Sequence, residues 1–334
     1  MLSVAASPAY ARKKRPQAQP RPAIHAPEQI HVSMQRVHPY DTPCGLEASA
    51  ATTSTDRRTS ELSAMALRLQ AHVAFLADSL QTGRGMGTPG GASAAFYIAK
   101  YLRDSGLSVE FNGFLNGSQQ GRNIIGIRRE AGARQYVIVM ASYDGLGMLG
   151  GNIYPCADAN GSGVAAMLEL ASDNRPHAGK PKNFIFVALD GHHAGMSGSQ
   201  ALRGWLARNG ISRKDIVMVV NLDTMGANLT PPSRVSKEYI IALGGAPFRG
   251  SMEFCNRDLG LHISYDYYGS KAFTDMFYRR VSEQKTFLEM GVPCVMFTAG
   301  ITDNTYKVTD SSATLNYPIF SRRVELIQRW MLRL

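Results

Sequence analysis

The feature that most constrains this chain is an alternation that begins near residue 123. Asn123 to Ile127, Tyr136 to Ala141, Phe184 to Leu189, Ile216 to Leu222, Tyr239 to Leu243 and Cys294 to Thr298 have the length and apolar composition of strands. Between and after them, Gly163 to Ala171, Ser197 to Arg208 and Ile319 to Leu332 carry apolar residues at helical spacing. Strands that are apolar on both sides and separated by helices need cover on both faces. The sequence therefore predicts an α/β domain, a three-layer α/β/α sandwich around a mixed, mostly parallel central sheet.

Upstream, Leu62, Met65, Leu67, Leu69, Val73 and Leu76 predict a helix over Ser60 to Leu76, and a second runs from Ala92 to Leu102 until Gly106 stops it. The region before Ser60 lacks apolar periodicity and is rich in Pro, Ala, Ser, Thr, Gln and Arg. We divide the chain into a signal-peptide remnant at 1–11, a flexible basic linker at 12–59 and one folded domain at 60–334. The remnant is read from Leu2 to Ala6 followed by small residues up to Ala11, with Arg12-Lys13-Lys14-Arg15 opening the mature chain. This gives a periplasmic or secreted address, the alternative being a cytoplasmic protein with a basic tail. No run approaches the roughly 20 apolar residues of a membrane-spanning helix, so a soluble chain is expected. The net charge of +10 could serve an anionic partner, but no recognition helix or interleaved basic and aromatic strip accompanies it. No nucleic-acid partner is expected. Cys44, Cys156, Cys255 and Cys294 form no C-x-x-C pair, so neither a zinc ribbon nor a dense disulfide framework is indicated.

In largely parallel sheets, sites form beyond the carboxyl ends of the strands. The loops after Ala141, Leu189, Leu222 and Thr298 are where the polar residues gather. They carry Ser142-Tyr143-Asp144, Asp190-Gly191-His192-His193, Asp223 and Asp303 to Lys307, while Cys156-Ala157-Asp158-Ala159-Asn160 precedes a helix start. The glycine-rich turns at Gly83 to Gly91 and Gly244-Gly245 read as structural, because the lysine of a phosphate-binding loop is absent.

From about Ala71 to the C-terminus these segments, in this order, resemble metallopeptidase family twenty-eight. Its zinc aminopeptidases share their fold with glutaminyl cyclases and the glutamate carboxypeptidase ectodomain. Phe75 to Leu80, Gly83-Arg84, Gly87 to Gly90 and Ala95 to Ala99 look like the family's opening segment, followed by Arg122 to Gly126. The family's A-H-Y-D, whose His binds the first zinc and whose Asp orients it, is here Ala141-Ser142-Tyr143-Asp144. Its G-A-D-D-N-A-S-G, whose first Asp bridges both metals, is Cys156 to Gly163 with Asp158 kept and Ala159 in place of the second acid. Its D-G-E-E, supplying the general base and a ligand, is Asp190-Gly191-His192-His193, and its N-x-D-x-x-G stands intact as Asn221 to Gly226 around Asp223. Its D-Y-H-x-P-x-D is similar to Thr305 to Asp310, with Lys307 at the ligand position, and its S-D-H-x-x-F to Ser282 to Phe287.

A co-catalytic site holds two metals about 3.5 to 4 Å apart between carboxylates and imidazoles. Of the five ligands the resemblance implies, Asp158 and Asp223 remain. Serine at 142 is a poor neutral ligand and a protonated lysine at 307 cannot ligate. Two histidines for glutamates and a lysine for a histidine move the site by about three charges toward positive. Lys307 would then pair with Asp158 or Asp223 where zinc would stand. The expected state is thus no cofactor, or one zinc on a rebuilt site of Asp158, Asp223 and His193. His192 falls at the base position. Asp144 loses the histidine it would orient, and Cys156 lies beside the site as a packed thiol or, alternatively, a ligand or nucleophile.

The leading expectation is a peptidase-fold pseudoenzyme that binds peptide or protein termini or scaffolds an envelope complex. The alternatives are an active exopeptidase or cyclase with one metal, and an anion-binding protein.

Overall fold

The computed structural model describes residues 54–175, 178–228, 236, 238–267 and 269–334. The expected signal remnant and all but the last residues of the expected linker lie outside them. Ten strands are β1 (Ser108–Asn116), β2 (Gln119–Arg128), β3 (Tyr136–Ser142), β4 (Met148–Leu149), β5 (Asn152–Ile153), β6 (Asn183–Leu189), β7 (Ile216–Leu222), β8 (Tyr239–Leu243), β9 (His262–Ser264) and β10 (Cys294–Thr298). The helices are α1 (Ser54–Leu76), α2 (Pro89–Asp104), α3 (Gly163–Ser172), α4 (Ser197–Arg208), α5 (Arg249–Asn256), α6 (Lys271–Arg279), α7 (Lys285–Glu289) and α8 (Tyr317–Met331).

Eight strands make one sheet in the order β1-β2-β6-β3-β7-β10-β8-β9, and β4 pairs with β5 in a separate ribbon. β6, β3, β7 and β10 run parallel through the centre. The β1–β2 hairpin joins one side through an antiparallel β2–β6 pair, and β8 closes the other side antiparallel to β10. The sheet is mixed and parallel at its heart, as the alternation predicts.

Side-chain alternation builds the three layers. Val137, Val139 and Ala141 of β3 and Phe184, Phe186 and Ala188 of β6 enter a core with α1, α2, α3 and α8. Their neighbours Ile138, Met140, Ile185, Val187 and Leu189 enter a second core with Leu202, Trp205 and Leu206 of α4 and Phe287 of α7. A strand buried on both faces has no polar side to alternate, which is why these runs are apolar throughout. At roughly 25 cal/mol per Å² of buried apolar area, the two cores are the main stabilising term.

α4, β7, β8 and β10 begin and end where the sequence pattern places them. β1, β9 and α5 to α7 carried no sufficient pattern. In β1 the polar Asn112 and Asn116 and the side-chain-free Gly113 break the apolar alternation. The strand is held instead by continuous pairing with β2, from Ser108 opposite Ile127 to Asn116 opposite Gln119. α6 buries no residue fully, so its stripe is short. α1 is described from Ser54, six residues before the apolar periodicity starts at Ser60. The turn at Gly83 is structural: its φ is +72°, and a Cβ there would stand 2.4 Å from the Gly147 carbonyl oxygen.

Candidate functional site at the carboxyl edge of the sheet

The central strands end together at Ser142, Leu189, Leu222 and Thr298, and the loops beyond them meet. The floor is Asp158, just before α3. Its Oδ1 accepts from the backbone amides of Gly226 at 2.8 Å and Ala227 at 3.1 Å and from the Ser162 hydroxyl at 2.9 Å. Its Oδ2 is buried with no hydrogen-bond partner among the described residues. Burial raises the Asp158 pKa against the opposing pull of those amides, the hydroxyl and the Arg323 charge. Asp310 lies behind it, accepting from the amides of Asp158 at 2.9 Å and Ala159 at 3.1 Å. Burial, with the Asp158 charge adding to it, pushes Asp310 up to about 6.

Asn160 fastens three loops. Its Nδ2 donates to the Leu222 carbonyl at 2.9 Å, and its Oδ1 accepts from Gly163 N at 3.1 Å and Thr224 N at 3.0 Å. Asp190 does the same toward the hairpin: Oδ1 accepts from Gly191 N, and Oδ2 accepts from Arg122 N at 2.9 Å and lies 3.0 Å from the Tyr143 hydroxyl.

The rim is different. Asp144, buried beyond β3, accepts from the amides of His192 at 3.0 Å and His193 at 3.2 Å, so in place of an imidazole it anchors the 191–193 turn. Burial and then the Asp190 charge push it up to about 7. His192 Nδ1 lies 3.2 Å from Glu283 Oε1. Burial alone would lower its pKa. The bond and charge of Glu283, with Asp223 and Asp144 nearby, outweigh that and push it up to about 9, so at neutral pH the ring is an imidazolium. Glu283 Oε2 is buried and unpartnered. His193 packs edge-on against His192 and Tyr306 at 5.0 and 5.3 Å between ring centroids. Burial, then the positive charges of His192 and Arg84, pull it down to about 4. Asp223 accepts from the Ser282 hydroxyl at 3.2 Å through Oδ2, and burial raises its pKa despite the opposing charge of His192. His192 and Asp223, with Tyr267, Phe277, Ile301 and Tyr306, line a cavity of about 210 Å³.

Lys307 is exposed and forms no ion pair with Asp158 or Asp223, because the turn from Thr302 to Asp310 is closed by its own hydrogen bonds and carries that side chain outward. The cations inside are His192, Arg84 and Arg323. Arg84 is fully buried, donating to the carbonyls of Leu76, Tyr143, Pro155 and Cys156. Arg323 is likewise buried and donates to Tyr239, Met225 and Ala227. A lone charged residue in a glycine turn or on an apolar helix face was the signal for both. Cys156 is a packed thiol whose pKa burial raises, the reverse of what a nucleophile or thiolate ligand needs. Among the described residues no three His, Cys, Asp or Glu side chains form a group that could hold a metal ion as they stand.

The model of peptidase family M28 matches residues 123–330. That is more than half of the chain, which therefore belongs to peptidase family M28. Solved structures with the same fold include the zinc aminopeptidase from Bacillus subtilis, at a TM-score of 0.63 and 14% identity, covering 80% of this chain and 94% of that one. The LapA aminopeptidase of Legionella pneumophila aligns at 0.64 with 12% identity, covering 86% and 76%. The glutaminyl cyclase of Fimbriiglobus ruber aligns at 0.64 with 17% identity, covering 80% and 94%. No curated protein matches the sequence.

The zinc pair that the family implies does not fit this donor set. Ser142 offers a hydroxyl, Lys307 points to solvent, and His192 spends its charge on Glu283. Among the described residues the buried Asp158 Oδ2 has no hydrogen-bond partner.

Proposed function

We propose that this chain is a metal-free member of the family that binds peptide or protein amino termini without hydrolysing them. The observation that carries the reading is the His192–Glu283 ion pair at the position where the family's general base would stand. An imidazolium cannot take a proton from water, and its charge offsets Asp223 and Asp144 where dications would otherwise be needed. What remains is a cavity with aromatic walls at Tyr267, Phe277 and Tyr306 and one carboxylate, Asp223. Among the described residues Asp223 Oδ1 accepts no hydrogen bond, so an ammonium group entering the cavity finds an acceptor and π-faces together. A role in an envelope complex and an address outside the cytoplasm belong to the same proposal. They rest on the segment from Leu2 to Ala11, and cell fractionation of the full chain tests the address.

The test is elemental analysis of untagged protein dialysed against low zinc, combined with titration of a dipeptide carrying a free or an acetylated amino terminus. We expect no stoichiometric metal, no chelator-sensitive cleavage of aminoacyl substrates, and binding of the free amine only, lost in Asp223→Asn. About one zinc per chain with a chelator-sensitive rate would replace this reading with that of a single-metal hydrolase or cyclase.

A further inference from the structure

A second and larger cavity, of about 510 Å³, opens between α2 and the β1–β2 hairpin. It touches the site above only through Tyr143 and Asp190. Its walls are Thr88, Ala92 and Ala95 of the α2 side, Phe114 and Leu115 of β1, and Arg122 of β2.

Arg122 is a half-buried cation whose guanidinium finds no acceptor among the described residues. Its backbone amide bonds Asp190, but its guanidinium makes no hydrogen bond or ion pair among the described residues and rests on two aromatic faces, 5.9 Å from Phe96 and 5.5 Å from Phe111. The cation–π contacts use the charge but leave the N–H fork without a partner among the described residues. Asp190 does not compete for that fork. Its oxygens are taken by Gly191 N, Arg122 N and Tyr143.

The space beside the fork comes from a missing side chain. Gly113 pairs directly with Arg122 across the hairpin, so their side-chain positions share one face of the sheet. No atom lies within 4 Å of where a Gly113 Cβ would stand. Any larger residue would project into open volume next to the guanidinium. The same glycine interrupts the apolar pattern of β1, so its cost to the strand coincides with the opening of the cavity.

We propose that this cavity is a binding site for a small amphipathic carboxylate. The head would accept the fork of Arg122 and the apolar body would lie along Ala92, Ala95, Phe114 and Leu115. One guanidinium and no second cation in the lining select a single anionic group. A volume of about 510 Å³ lies in the range of small-molecule sites.

The experiment is calorimetric or ligand-observed NMR titration of the full chain with octanoate, octanol and octylammonium at fixed ionic strength. Octanoate is expected to bind roughly tenfold more tightly than octanol, as one charge-assisted bidentate contact implies, with octylammonium weakest. Arg122→Gln should erase the preference for octanoate while octanol still binds. Gly113→Leu should lose both ligands, and thermal melts of both variants check that the fold is kept. The proposal is overturned by equal affinity for octanoate and octanol in the wild type, by a preference surviving Arg122→Gln, or by undiminished octanoate binding in Gly113→Leu.

Discussion

The floor and the rim of the site at the carboxyl edge are built on opposite terms. On the floor, Asp158, Asn160, Asp310, Arg84 and Arg323 are buried and spend nearly all their polar atoms on backbone groups of distant loops. On the rim, Lys307 faces water, His193 touches its neighbours through ring edges, and His192 holds its place through one ion pair. The floor is where the sequence matches the family motifs, at Asp158, Asn160 and Asp310. On the rim it keeps Asp144 and Asp223 but departs from the motifs at Ser142, His192, His193 and Lys307. The floor residues satisfy backbone groups that would otherwise be buried unpaired, so the fold itself demands them. The rim residues answer to charge, and another arrangement of charge can stand in for them.

Breaking the floor should cost most. Arg84→Leu leaves four buried carbonyl oxygens without their donor, and a loss of about 3 to 5 kcal/mol is expected in urea denaturation. A loss below about 1 kcal/mol would show that the loops do not depend on it. Next is Asp158→Ala, which strands two amides and a hydroxyl and should cost about 2 to 4 kcal/mol. Asp158→Asn keeps an acceptor for those three donors and should cost less, because the orphaned Oδ2 makes no bond to lose.

The rim is sharpened by pH. The folded pKa of His192, about 9, lies above its ordinary value of 6.5, so its contribution is fully present below about 6.5 and lost as pH rises through about 9. Asp144, raised to about 7, also favours the fold when protonated, and its contribution is lost as pH rises through that value. Between pH 7.5 and 9.5 the slope is shared by His192 and the buried thiols of Cys156, Cys255 and Cys294, whose raised pKa values also cost stability as pH rises. The His192 share of the fall across that window should be on the order of 2 kcal/mol, and His192→Gln should make the slope shallower by that amount. An unchanged slope in the variant would remove His192 as the internal cation. The smallest effects belong to Lys307→Ala, expected within about 0.5 kcal/mol, and to chelator, expected to leave the melting temperature within about 1 °C. A chelator-induced drop of several degrees would place a metal in the fold after all.

The central sheet was legible because strands buried on both faces must be apolar along their whole length, as in Phe184 to Leu189 and Ile216 to Leu222. β1 was not, because its pairing is made by the backbone and its glycine and asparagines serve neighbours rather than a core. In the site, the spacing of Asp158, His192 and Asp223 placed them at one sheet edge. It could not show which way each side chain turns. Lys307 looked like the compensating cation because it occupies a ligand position in the motif, yet the hydrogen bonds of its turn carry it out to solvent. Glu283 was visible as a lengthened acid in a matching motif, but nothing local ties it to a histidine 91 positions earlier.

The sequence by itself determined the layered α/β architecture, the edge at which polar residues collect, and the residue types that stand at the family's motif positions. These follow from residue type and spacing. Only the tertiary structure decided which charges meet: His192 with Glu283, Arg84 under the site loops, and Arg122 left without an acceptor among the described residues beside the space at Gly113. Burial and partnership are properties of three-dimensional neighbours, and a carboxylate or imidazole takes its charge state from those neighbours.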